Sequence, residues 1–159
     1  MARSLIDRIP TDDLEAGEHW LAAQAMTVRG PKTMLAWAAE HDLDDLLADR
    51  KRVHPGATGT ATIPEAMPRS FVAAVTERRL ALFETKFGGR PGDLLFSWPL
   101  ESTSLDIVDE GDRVRSRLFL FGVADGALVA GAAGVNGKAL AAADAFVEAF
   151  RSGAARMAG

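Results

Sequence analysis

The chain reads as a mainly β domain with α, whose last strand is followed by an amphipathic helix. Three features predict this. Leu94, Phe96, Trp98 and Leu100 alternate with other residues, the pattern of a half-buried strand. Asp125-Gly126 stands between two β-forming runs as a hairpin turn signal. Leu140, Ala143, Val147, Phe150 and Ala154 recur at spacings of three and four, so one helical face must be buried, and the preceding sheet is its natural partner.

The elements follow in order. Ile9-Pro10 ends any short opening helix. Residues 19–28 read as the first strand, set off by Gly17 and stopped by Gly30-Pro31. Residues 32–52 read as a helix, with Met34, Leu35, Ala38, Leu43 and Leu46 near one face and Glu40, Asp42, Asp45 and Asp49 mostly on the other. Arg50-Lys51-Arg52 falls in its last turn, where cations suit the helix dipole. Residues 53–69, rich in Pro and Gly, read as a long loop with one short strand near 58–63.

Residues 71–76 and 80–85 are β-rich runs joined through Glu77-Arg78-Arg79, and 87–93 form a turn. Pro99 places the strand around 94–100 at its end or at a sheet edge. Residues 103–108 form a strand, 109–112 a charged turn, 113–123 a long strand and 127–132 its return. Gly131, Gly134 and Gly137 break that run before the helix over 140–155. The whole, 1–159, reads as one domain with 31–68 as an acidic helical insertion.

Composition narrows the chemistry. There is no cysteine, which removes disulfides, thiolate metal sites and cysteine nucleophiles and fits a reducing, cytoplasmic setting. The net charge is −4, and it lies in the first part: residues 1–68 carry 7 basic and 11 acidic side chains, residues 69–159 carry 11 of each. An acidic chain without a basic stripe is a poor nucleic-acid binder. No apolar stretch has signal-peptide or membrane-spanning length.

Four constellations invite a functional reading. Gly131 to Ala139 imitates a phosphate loop, but Ala132 and Ala139 stand where glycine and a hydroxyl are required, and the strands before it read as antiparallel hairpins. Arg113, Arg115 and Arg117 alternate on one strand face. They suit an anionic ligand or acidic partner, but Asp106, Asp109, Glu110 and Asp112 across the turn offer cross-strand neutralisation, which favours a solvated, paired strand face. His19, His41 and His54 have no metal-ligand spacing, and the Asp42-to-Asp45 run lacks the glycine and distal Glu of a calcium loop. No serine has a nucleophile-elbow context. Of the tryptophans, Trp98 is expected in the core and Trp37 on the apolar side of the acidic helix.

The second half resembles the bacterial pleckstrin-homology-like domains, which share a fold with GRAM domains. The resemblance rests on the hairpin VTERRLALFE, with Thr76, Arg79, Leu80 and Phe83 as its marked positions, the strand ending SWPLES, the long strand RSRLFLFGVADG and the close in ADAFVEAF. It covers about 71–151, plus 19–28 as first strand. It implies a bent antiparallel barrel or sandwich of about seven strands capped by the final helix. With no nucleophile–base set, metal cluster, intact phosphate loop or basic patch, the sequence reads as a non-enzymatic binding or assembly module with no cofactor, for an unknown protein partner or for self-association, and the resemblance adds weight to binding. The connection after the first strand holds phosphoinositide headgroups in lipid-binding relatives; here it is acidic, which opposes that role, and no ligand residues carry over. Ala127–Val135, small and glycine-rich, reads as an edge strand open to another copy.

Overall fold

A computed structural model describes residues 5–12, 14–27, 51–56, 68, 70–86, 90–110, 116–124, 127–135 and 138–158. Eight strands form one antiparallel sheet: β1 (Trp20–Thr27), β2 (Lys51–His54), β3 (Ser70–Thr76), β4 (Arg79–Lys86), β5 (Arg90–Pro99), β6 (Ser104–Glu110), β7 (Ser116–Ala124) and β8 (Ala127–Gly134). One α-helix, α1 (Lys138–Ala158), follows β8, and single 3₁₀ turns lie at Leu5–Arg8 and Leu100–Ser102. The strand order is β2-β6-β7-β8-β1-β3-β4-β5. Among the described residues its two end strands do not pair, so the sheet is open rather than the closed barrel expected, and it has one strand more.

The extra strand is β2. Lys51 and Arg52, expected in the last turn of a helix, and Val53 and His54, expected in a loop, lie instead along the edge of β6. The cause is tertiary. Arg52 forms a two-point ion pair with the buried carboxylate of Asp106, Nε to Oδ1 at 2.9 Å and Nη2 to Oδ2 at 3.1 Å. The rest of the predicted acidic helix, with Trp37 and His41, and the strand near 58–63 lie outside the described residues.

The apolar runs of β3 and β4 do not alternate because both faces of these strands are buried. Phe71, Ala73, Val75, Leu80 and Leu82 enter the main core. Val72, Ala74, Ala81 and Phe83 enter a second cluster that Ile9 closes from the N-terminal segment, with Leu5, Trp20, Ala23 and Leu94 packed against it. Trp20 meets Phe83 edge-on at 5.5 Å, and its Nε1 donates to the Pro10 carbonyl at 3.0 Å.

Other boundaries move for local reasons. β5 begins at Arg90, inside the expected turn, because Pro91 and Gly92 sit on an outermost strand where a missing N–H is tolerated. Pro99 ends that edge strand, as its sequence position suggested. β6 runs on to Glu110, into the expected turn, because Asp109 lies directly across from Arg117. Gly131 does not break β8. A Cβ there would come within 2.7 Å of the Phe71 ring and 2.9 Å of the Met26 sulfur, so glycine is what lets these core side chains close over the strand. β8 is also not the edge strand expected: it lies between β7 and β1, and β1 meets it at Thr27 and Ala132.

α1 starts two residues earlier than expected and runs three further. It buries Ala143, Val147, Phe150 and Ala154 of the predicted stripe, together with Phe146, but Leu140, the first stripe residue, is exposed. Phe146 stands edge-on to Phe119 at 5.6 Å and to Phe121 at 6.3 Å. Full burial of such a ring is worth roughly 1.5–3 kcal/mol. The five residues of its first turn and a half, Lys138 to Ala142, are by contrast exposed.

Candidate functional site

The densest polar constellation sits where the N-terminal segment meets the β3–β4 turn. Thr76 ends β3 and its Oγ1 accepts hydrogen bonds from the amides of Arg78 and Arg79, each at 3.0 Å, which closes the turn. The same hydroxyl donates to Glu18 Oε2 at 2.7 Å. Arg79 donates from Nε to Glu18 Oε2 at 2.9 Å and from Nη2 to Oε1 at 2.6 Å, and the Glu15 amide adds a bond at 3.0 Å. The Glu18 side chain is fully buried. Burial pushes its carboxyl pKa up, but the bonds from Arg79, Glu15 and Thr76 and the Arg79 charge outweigh that and hold it at about 2.

The marked positions of the hairpin motif thus have separate duties. Thr76 and Arg79 grip Glu18, while Leu80 and Phe83 enter opposite faces of the sheet. Glu18 itself was missed. It lies 58 residues from Thr76 and 61 from Arg79, and no local pattern marks it.

Beside this clasp is a shallow cleft of about 260 Å³, lined by Glu15, Glu18, Arg78, Arg79, Ser97 and Pro99. Arg78 Nη1 donates to Glu15 Oε2 at 2.7 Å, and both side chains are largely in solvent, 48% and 65% exposed. Among the described residues the Nε and Nη2 donors of Arg78 have no partner.

Of the arginine row, Arg113 and Arg115 lie outside the described residues. Arg117 is buried and engaged: Nε donates to Asp109 Oδ1 at 2.7 Å and Nη1 to Asp144 Oδ1 at 2.8 Å. The Asp109 contact is the cross-strand neutralisation that the spacing allowed; the Asp144 contact joins β7 to α1. Burial works against the Arg117 charge, but these two carboxylates raise its pKa above the ordinary value. Asp106 pairs with Arg52.

The glycine loop is divided. Gly131, Ala132 and Ala133 are buried in β8, Lys138 is the exposed first residue of α1, and Asn136 and Gly137 lie outside the described residues. His19 is exposed, and His54 Nδ1 lies 3.3 Å from the Thr103 carbonyl. Among the described residues no three His, Asp or Glu side chains gather as a metal site, and no helix is long and apolar enough to cross a membrane. The chain matches no protein-family model, no curated protein and no solved structure.

Proposed function

We propose that this chain is a non-enzymatic binding module on a pleckstrin-homology-like frame. The frame is supported by the order on either side of β1. With β2 set aside, seven antiparallel strands run β6-β7-β8-β1-β3-β4-β5, and α1 packs against the sheet. β2 is then an addition brought in by the insertion.

The observation that carries the binding reading is the Glu15–Arg78 rim of the cleft, where an arginine keeps donors turned to solvent. The neighbouring Glu18 is a poor general acid or base. Its hydrogen bonds hold it ionised far below neutrality, where it neither gives nor takes a proton. Calorimetry with magnesium and ATP or GTP, and co-sedimentation with phosphatidylserine vesicles, test the alternatives. No heat and no pelleting are expected; nucleotide turnover would overturn the reading.

Self-association is the second reading. The feature in its favour is the long outer strand β5, with half-buried Leu94, Leu95 and Phe96. Pro91, Pro99 and a bulge that leaves Leu95 unpaired with β4 blunt that edge. Light scattering across concentration is expected to show a monomer. A dimer abolished by Ser97→Pro would favour assembly through β5.

A further inference from the structure

We propose that the cleft beside the β3–β4 turn is a carboxylate-binding site in which Glu15 occupies the place of the ligand. The proposal rests on the binding reading above and adds the chemistry of what is bound.

The structure already holds one carboxylate at this point. Glu15 Oε2 takes a hydrogen bond from Arg78 Nη1 at 2.7 Å but engages only one arm of the guanidinium. The neighbouring Arg79 shows the fuller arrangement, with Nε and Nη2 both on the Glu18 carboxylate. Arg78 has the same planar fork, and its Nε and Nη2 have no partner among the described residues. An incoming carboxylate can therefore make the two-point contact that Glu15 does not.

Displacement of Glu15 is easy. An ion pair this exposed holds by no more than about a five-fold factor. Glu18 does not compete for Arg78, being occupied by Arg79 and Thr76. A carboxylate that replaces Glu15 leaves the charge on Arg78 balanced as before. A phosphate dianion brings a second negative charge towards Glu15 and Glu18, the carboxylates that line the cleft, where a carboxylate brings one. At about 260 Å³ the cleft admits a small organic acid or one acidic side chain of a peptide.

The test is an NMR titration of the ¹⁵N-labelled full chain that follows the backbone amides and the Arg78 Nε–H signal. The probes are sodium acetate, an aspartate-rich tetrapeptide and inorganic phosphate, each against sodium chloride at matched ionic strength. Acetate and peptide are expected to shift Arg78, Arg79 and Ser97 saturably. Tighter binding of the peptide per carboxylate identifies a protein source, and equal binding a free acid. Glu15→Gln, which removes the internal competitor, is expected to tighten binding about two- to five-fold. Arg78→Gln is expected to abolish it; if that variant does not fold, the Glu15→Gln comparison still decides.

Shifts that follow ionic strength alone, or that survive Arg78→Gln, overturn the site. Tighter binding of phosphate than of acetate overturns the carboxylate assignment. Saturable shifts elsewhere that ignore Arg78→Gln would leave the binding-module reading standing and remove this site from it.

Discussion

Arg79 grips Glu18 with two hydrogen bonds, at 2.9 and 2.6 Å, and so fastens the segment before β1 to the start of β4. Because the Glu18 carboxyl is held at about 2 when folded, against 4.5 ordinarily, the folded state binds the proton more weakly. Its contribution to stability is fully present above about pH 5 and is lost as the pH falls towards 2, up to about 3 kcal/mol. Urea midpoints measured from pH 7 to pH 3 are expected to fall in the wild type. Glu18→Gln should be less stable at pH 7 and show a flatter acid limb. An equally steep limb in that variant would place the acid sensitivity elsewhere.

The Arg117 pair of contacts predicts non-additive losses. Asp109 and Asp144 are partly exposed, so each alone can be replaced by Asn while Arg117 keeps the other. Each single change is expected to cost about 1 kcal/mol or less. The double change leaves a buried guanidinium without either carboxylate and is expected to cost about 3 kcal/mol or more. Chemical denaturation of the four proteins of the cycle reads the coupling directly. Simple additivity would mean that Arg117 reaches solvent when unpaired.

Gly131→Ala is expected to destabilise by about 1–3 kcal/mol, because the new methyl meets the Phe71 ring and the Met26 sulfur in a packed core. Gly134→Ala, in the same strand with open space at its Cβ, is the control and should change little. Thermal melts of the two variants separate core packing from a general intolerance of side chains in β8.

Gly56 follows β2 with φ +56°, and a Cβ there would lie 2.6 Å from the Ser104 amide nitrogen. Gly56→Ala is therefore expected to cost about 2 kcal/mol or more. Hydrogen exchange should quicken at β2 and the facing half of β6 before it does at β3 and β4. Uniform quickening would show that β2 is no separate unit.

Much of the fold was legible because local pattern and burial coincide. The stripe of α1 from Ala143 on and the pair Phe96 and Trp98 each record one face turned to the core, although the bulge at Leu95 carries Leu94 to the second cluster, and Asp125-Gly126 lies between two strands that do pair. The candidate cleft was not legible. Arg78 and Arg79 are adjacent and chemically alike, yet one is tied to a buried carboxylate and the other to an exposed one. Only the path of residues 14–18 over the turn separates them.

The sequence by itself determined a mainly β chain with a C-terminal amphipathic helix, where hydrophobic periodicity and turn chemistry act over neighbouring residues. Tertiary structure alone decided that Lys51–His54 is a strand, that β8 is internal, that the sheet is open, and which carboxylate each arginine meets. The physical reason is range. A helical stripe or turn signal spans a few residues, whereas a strand edge or a buried ion pair is completed by a partner tens of residues away, and its energy depends on burial that no local segment specifies.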